Sequence, residues 1–577
     1  MAKQNRGSQK PKDDNSKGSS KYGRYANRGG RKPSPFERSV NDPKAYINNY
    51  TQDKDNDPAW YTVNGTLVND AAKLPFGNMV GEPIPFSKGE DTEGTHELNV
   101  AGFAVMRTRP TIGYSRDETS APSRAAVAMT EFLRSKLTTD ESFATQDTLM
   151  YTNAIDSILA LYSHITRCFG LLGAVKFNNL YTPKYLVQAI YNFDDDAWND
   201  AVQNRANLTL KFNQYVTEAQ FLFLPVSYTA IQRHSWLFSN VFYDSRSNKA
   251  QMYAHAPVGF YIWDEVTSDR GTTNRFLKLD PSDTTNPYRA WYKENTLDAL
   301  IELFHKMCYA MINSTSQLRI RMAFLKAYGE SAGWRMASLA DNYLISPVHS
   351  DEVLSQINNT TICSVIESYG YTTSYDLPEG TKLPDGTVVS GTYSTDPFDV
   401  VGNPDNNTIE CVPFVAIGQL NAQNLERIKQ KEIANFHWDN PSTEDILVAT
   451  RDMVTFEYST YPLNIPSYNL TGMGSDVVTG FEMYYIDSHH NLNKCELEYS
   501  NRISLAAVKT SLKHWSTFDW APTMWMEFSS SASGTQQVVP VQEWDNCNAI
   551  EEESLIQLHK AVLTSMYQVK EAGMYSI

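Results

Sequence analysis

Eleven basic side chains crowd the first 38 residues: Lys3, Arg6, Lys10, Lys12, Lys17, Lys21, Arg24, Arg28, Arg31, Lys32 and Arg38. Most lie three to five positions apart among Ser, Gly, Asn and Gln, with Tyr22 and Tyr25 available to stack on bases. That spacing suits a phosphate backbone, which binds flexible cations by releasing its own counterions and demands no fixed fold. Only Asp13, Asp14 and Glu37 oppose them, so the segment carries +8; the whole chain carries −16, which leaves −24 for residues 39–577. A body of that sign repels nucleic acid, so affinity for it is concentrated in the leading segment. The same stretch has no Leu, Ile or Val before Val40 and no Phe before Phe36, too little apolar surface to offset the entropy of ordering it. A disordered arm that associates with nucleic acid is expected over residues 1–38; a merely solubilising tail is the plainer reading. No apolar stretch follows the charges, as a secretory signal requires, and the Gly and Asn content does not suit an amphipathic transit helix.

Catalytic chemistry finds little to work with. There is no GxxxxGK[ST] phosphate loop, no HExxH zinc helix, no GxSxG elbow between a strand and a helix and no GxGxxG after a strand. Asp194, Asp195 and Asp196 could cluster round a metal, but they sit where a helix begins, and capping accounts for them better. His489 and His490 with Cys495 lack the second cysteine pair of a zinc site and are expected in a surface loop. His234 beside Trp236 is read as packing. No cofactor and no metal is expected.

The elements that position these residues follow from composition and periodicity. A chain of 577 residues with 41% hydrophobic and 20% charged content fills cores easily and leaves room for three or four domains. The longest apolar run, 168–175, is too short to span a membrane. Six scattered cysteines without a CxxC pair fit a reducing compartment, which makes Asn-x-Thr matches at 64–66 and 469–471 chance. Residues 39–59, rich in Asn, Asp and Pro, read as a tether, and 60–110 as loops and short strands. Tyr151, Ile155, Ile158, Tyr162, Ile165, Phe169 and Leu172 recur at steps of three or four, so 147–175 is a helix that Gly170 and Gly173 could shorten. Further helices are expected at 124–137, 184–191, 195–217, 297–313, 317–328, 421–435, 443–457, 502–515 and 551–567. Residues 226–292 mix aromatics, Pro and turn residues, and 369–418 reads as a hairpin-rich outgrowth whose Pro-Glu-Gly and Pro-Asp-Gly are turns. The fold class is mainly α with β-rich insertions.

Five segments, NDPAWY at 56–61, KLPFG at 73–77, RHSWL at 233–237, FDWAP at 518–522 and LTSMYQV at 563–569, occur in an order that resembles the capsid proteins of picobirnaviruses. The resemblance runs from about residue 56 to the C-terminus, and the 369–418 outgrowth matches nothing in it. It implies a virion protein assembled in the host cytoplasm, self-associating as intertwined two-fold dimers into a small icosahedral shell round double-stranded RNA, with a packaged RNA polymerase as a further partner. It also implies a helical shell domain over 60–224 and 501–577, a projecting domain over 225–500, and an internal arm cleaved in some members; Asn48, Asn49 and Asn56 are then candidate cleavage positions. The carboxyl-terminal aromatics Trp515, Trp520, Trp525 and Phe528 are placed at or near a dimer contact, with plain core packing as the other reading. Two rival classes stand beside this: a carbohydrate-active or other hydrolytic enzyme with a basic anchor, and a non-assembling nucleoprotein, which the acidic body disfavours.

Overall fold

The computed structural model describes residues 58–73, 81, 83–85, 97–137, 143–174, 182–245, 250–268, 271–362, 374–403, 408–416, 432–436, 440–459, 467–497, 518–529, 536–541 and 547–569. The chain divides into two compact units, residues 1–77 with 437–440, and the remainder. In the first, a 3-10 turn at Pro58–Trp60 precedes helix α1, Gly65–Ala71. The Asn64 side chain accepts from the Leu67 amide at 3.2 Å, and this cap starts a helix where only loops and short strands were expected.

The second unit opens with strands β1 (Pro83–Pro85), β2 (Glu97–Asn99) and β3 (Phe103–Pro110). Helices α2 (Ala121–Lys136), α3 (Thr145–Gly173), α4 (Thr182–Tyr191), α5 (Asp195–Gln203), α6 (Arg205–Ala219) and α7 (Thr229–Ser239) follow. Then come β4 (Phe242–Tyr243), β5 (Met252–Pro257), β6 (Gly259–Ser268), β7 (Gly271–Lys278), α8 (Leu297–Ile312), α9 (Thr315–Tyr328) and α10 (Asp351–Asn359). The outgrowth supplies β8 (Ser374–Lys382), β9 (Val388–Ser394), β10 (Val400–Asn403), β11 (Thr408–Glu410) and β12 (Phe414–Ala416). The chain ends with β13 (Glu432–Asn435), α11 (Thr443–Ala449), β14 (Thr455–Ser459), β15 (Ser467–Gly472), β16 (Asp476–Ile486), β17 (Leu492–Leu497), β18 (Met524–Ser529), β19 (Gln536–Val541), β20 (Cys547–Ile550) and α12 (Glu552–Met566).

Helix α3 is the axis of this unit. Of its 29 residues 25 are buried, as expected of a helix covered on every side rather than along one stripe. It packs on α2, α7, α8 and β6 and runs through Gly170, ending at Gly173. Both glycines are needed for contact: a Cβ would lie 2.5 Å from Ile345 Cγ2 at Gly170 and 2.5 Å from Leu344 Cδ2 at Gly173.

Against α7 and α4 lies a five-stranded sheet in the order β17-β16-β3-β5-β4. Strand β3 runs parallel to β5, pairing Val105 with Ala254, and antiparallel to β16, pairing Met106 with Phe481. A parallel pair needs a long crossover, and helices α2–α7 supply it. The sheet therefore draws together strands some 370 positions apart in the chain, as the Cα pairing of Arg109 with Val477 shows.

Several expected elements are corrected. The helix over 195–217 breaks at Asn204, whose backbone leaves the helical region (φ −97, ψ 10) while its side chain donates to Asp200 Oδ1 at 2.7 Å. Of the helix expected at 421–435, the described part is strand β13, which pairs Ile433 with Ala549. The helix at 443–457 stops at Ala449, and Thr455, Phe456 and Tyr458 enter β14 against β15; in both cases a strand partner outweighs local periodicity. Pro378-Glu379-Gly380 is no turn but a bulge inside β8, between Leu377 and Thr381, whereas Pro384-Asp385-Gly386 does turn the hairpin, with Gly386 at φ +83. Helices α7 and α10 went unforeseen; Ser350, capping Val353 at 3.3 Å, was the readable sign of the second. The helix expected at 502–515 lies outside the described residues. Elsewhere Asp194, Thr296 and Ser314 cap helices, and Ser442 with Asp445 closes the capping box expected there.

One turn locks the C-terminal helix in place. Gly113 has φ +91, and a Cβ there would meet Leu563 Cδ1 of α12 at 2.3 Å. Gly113→Ala is expected to cost roughly 2–3 kcal/mol, from backbone strain plus displacement of Leu563; a denaturation midpoint matching the wild type would show that this turn does not seat α12.

Candidate functional site

Where α3, α7 and the sheet meet, five buried charged side chains and the half-buried Arg233 come together. Arg233 of α7 donates from Nε to Asp476 Oδ2 at 2.7 Å, from Nη2 to Asp452 Oδ1 at 3.2 Å and from Nη1 to Gln356 Oε1 at 3.2 Å. His234, its neighbour, puts Nδ1 2.5 Å from Asp156 Oδ2 of α3 and Nε2 3.1 Å from Asp476 Oδ1 of β16, with the Ser475 carbonyl at 3.2 Å. Arg451, 8% exposed, completes the set. Because both ring nitrogens of His234 face acceptors only, the imidazole must carry both protons. Three cations, Arg233, His234 and Arg451, then balance three carboxylates, Asp156, Asp452 and Asp476.

Electrostatics agree with that geometry. Burial pulls the His234 pKa down, but Asp156 and then Asp476 outweigh it and hold it well above its ordinary value. Burial raises Asp476, yet Arg233 and His234 bring it far below the usual carboxylate range. Asp452, less well served, is pushed up to about 6 by burial against the pull of Arg233. A raised histidine stabilises the fold fully below about pH 6.5 and loses that contribution as pH climbs through the folded value; the depressed Asp476 contributes above about pH 4 and loses it in strong acid. The thermal midpoint is therefore expected to fall on the alkaline side, and His234→Gln, though less stable throughout, should flatten that slope from about pH 7 upward. Parallel wild-type and variant curves would contradict the assignment.

The cluster has the members of a hydrolytic triad without its connections. Ser475 Oγ donates to Asp476 Oδ2 at 2.8 Å, and the histidine contact is made by the Ser475 carbonyl, so no hydroxyl is poised for activation. Arg233 and His234 belong to RHSWL; His234 is read from the sequence as packing, and the three acids that meet this pair, Asp156, Asp452 and Asp476, lie 78 to 243 positions away. Asp156 inside the apolar run of α3 was the one local signal. A GxSxG string does occur, at Gly329, Glu330, Ser331, Ala332 and Gly333. It forms a 3-10 turn after α9, with Ser331 exposed, not a strand-to-helix elbow.

A second buried pairing ties the outgrowth to the sheet. Arg109 of β3 lies between the Phe276 and Phe398 rings, 4.5 and 4.6 Å from their centroids, and donates to Asp396 Oδ1 at 2.7 Å. Nearby, Arg275 pairs with Asp264, and burial with the Asp396 charge pushes Asp399 up to about 7.

An open cleft of about 770 Å³ is lined by Asp194, Asp196, Asp200, Glu294, Asp298 and Lys211. Asp194 caps α5 by accepting from the Ala197 amide at 2.8 Å, and Asp298 pairs with Lys211 at 2.6 Å. Asp194, Asp196 and Asp200 are exposed, whereas a carboxylic acid catalyst is made by burial. His489 and His490 are exposed in the β16–β17 turn, and Cys495 is half-buried on β17. Among the described residues, no group of three or more His, Cys, Asp or Glu is arranged to hold a metal, and no helix is long and apolar enough to cross a membrane.

The eleven basic residues of the arm, the candidate positions Asn48, Asn49 and Asn56, and Trp515 lie outside the described residues. Trp520 is buried in its own chain, 8% exposed, next to Phe518, which packs on Tyr253 and Phe481. Trp525 and Phe528 fall on β18, with side chains outside the described set.

The buried charges described above join helix to sheet. A family model described as "Picobirnavirus, Capsid protein" matches residues 60–519. The chain belongs to that family, and its role is that of a structural component of the virion. It is 22% identical over 540 residues to the capsid protein precursor of Human picobirnavirus (strain Human/Thailand/Hy005102/-), covering 90% of this chain and 92% of the relative. The fold is similar to that in an X-ray crystallographic structure of the picobirnavirus capsid, with a TM-score of 0.70 and 18% identity over 90% of this chain and 99% of the other.

Proposed function

We propose that this capsid protein assembles, in the host cytoplasm, as two-fold dimers into a small icosahedral shell enclosing double-stranded RNA. Residues 60–224 and 501–577 form the shell in this reading, and 225–500 a projection whose strands β5 and β16 pair with β3 of the shell segment. The basic arm, Lys3 to Arg38, contacts RNA inside the shell, and a packaged polymerase works on a genome that the acidic wall does not hold. One observation carries this: +8 lies in the first 38 residues and −24 in all the rest, so cargo is tethered and not adsorbed. Dimer contacts are proposed for Trp515, Trp525 and Phe528, with Trp520 as the buried anchor of that block. The relative's designation as a precursor supports processing of the chain; in this reading the arm is removed by self-cleavage, the side-chain amide nitrogen of Asn48, Asn49 or Asn56 attacking its own main-chain carbonyl carbon, closing a succinimide as the peptide C–N bond breaks and the next residue leaves as a free amine.

Sedimentation of the purified protein with and without nuclease tests the reading. Fast particles whose nucleic acid survives nuclease are expected; a slow monomer or dimer at every concentration rejects shell assembly. Intact-mass measurement of particle protein tests cleavage, which fails if only the full-length chain is found.

A further inference from the structure

We infer that the junction around Arg167 is a proton-operated latch: uptake of protons by His164 and His255 in acid releases helix α4 from the body. Arg167 is fully buried on α3. It donates from Nη1 to the His255 and Asn240 carbonyls at 2.8 and 3.1 Å, from Nε to the Tyr191 hydroxyl at 3.3 Å, and from Nη2 to His164 Nδ1 at 3.0 Å. Among the described residues no carboxylate pairs with it. A guanidinium only donates, so His164 Nδ1 must be bare and the ring neutral. Protonated, that nitrogen would aim a donor at a donor, cation against cation, at a buried site where screening is weak.

The ring of His164 also seats α4. It lies 4.3 Å from the Tyr191 ring at the end of that helix, and the Tyr191 hydroxyl donates to the His164 carbonyl at 2.7 Å. Arg107 of β3 faces the same point, donating to the Ala189 and Ile190 carbonyls of α4 at 2.8 and 2.9 Å. His255 on β5 extends the device: Nδ1 is 3.1 Å from Thr108 Oγ1 of β3, and buried Nε2 has no protein partner among the described residues.

The charged groups facing each ring are mostly cations. His164 meets Arg167 of its own helix and Arg107 of β3; His255 meets Arg233 of α7 and Arg167 of α3, with Asp476 of β16 as the opposing carboxylate. Burial and then these arginines hold His164 well below its ordinary value and His255 down to about 3. The folded state thus binds fewer protons, so the junction is stable above about pH 6.5 and weakens as pH falls. Asp452 and Asp399, raised to about 6 and about 7, take up protons in the folded state and oppose unfolding of the whole. The expected event is therefore local: α4 opens and exposes its buried Leu186, Val187 and Ile190. It is a property of the subunit, whether or not shells form.

Amide hydrogen exchange in the full-length protein tests this, corrected for the intrinsic pH dependence of exchange, from about pH 7.5 to about 4.5. Residues 182–193 should lose at least about tenfold in protection in acid, while α3 stays protected. The double variant H164Q/H255Q keeps hydrogen-bonding groups but takes no proton, and should hold α4 closed throughout. Wild-type protection unchanged by pH, or a double variant that opens at the wild-type pH, overturns the latch. If the double variant does not fold, the wild type decides: opening that rises with the first or second power of proton concentration supports it, and pH-independent opening overturns it.

Discussion

Asp476→Ala is expected to be the most damaging single substitution in the folded body, costing about 3–5 kcal/mol. Asp476 is 2% exposed and receives Arg233 at 2.7 Å, Ser475 Oγ at 2.8 Å and the imidazolium of His234 at 3.1 Å. Its removal leaves three cations, Arg233, His234 and Arg451, with Asp156 and Asp452 alone, and the desolvation of those cations is no longer fully offset. Asp476→Asn should be nearly as harmful although it keeps the shape, because the missing quantity is charge. Asp195→Ala is the control: it breaks the Lys184 contact at 2.8 Å, but Asp195 is 69% exposed in that pair, and the change should stay within about 0.5 kcal/mol. Urea midpoints at unchanged slope make the comparison. Equal, small effects for the two aspartates would mean that the cluster contributes nothing to holding α7 on the sheet.

Removal of residues 1–38 is expected to leave particles that assemble and contain no RNA. If each of the eight net charges met one duplex phosphate, binding by the intact arm would fall with salt at a log-log slope of up to roughly −7. The truncated chain should lose that dependence together with the affinity. A segment of about 40 residues spans at most about 140 Å when extended, enough, in the proposed reading, to sample the lumen of a small shell. The ratio of absorbance at 260 and 280 nm in purified particles reads the outcome. RNA-filled particles from the truncated chain would move the binding to the folded body and overturn the proposed role of the arm.

Much of the helical layer was legible because burial there is written along one segment. The apolar steps from Tyr151 to Leu172 anticipated α3 to within two residues at each end, and Ser442 with Asp445 announced α11 through a cap that bonds within three residues. What failed was pairing. The 432–435 stretch looks helical alone and becomes a strand because Cys547–Ile550 lies beside it; no window shorter than the whole chain contains that fact. RHSWL likewise served as a family signature while its meaning stayed hidden, since Arg233 and His234 find Asp476 only after β16 has paired with β3.

The sequence by itself determined where charge resides, that a long helix runs through Tyr151 to Leu172, and the order of short motifs that marks a picobirnavirus capsid protein. Those properties are local or additive: net charge sums over residues, and a helix closes its hydrogen bonds within four positions. Tertiary structure alone decided which of the buried ions meet, that His234 must hold two protons while His164 must hold one, and that no carboxylate among the described residues pairs with the buried Arg167. The physical reason is that desolvation and Coulomb energies depend on separation in space, and the chain brings these groups within about 3 Å across gaps of up to 243 positions.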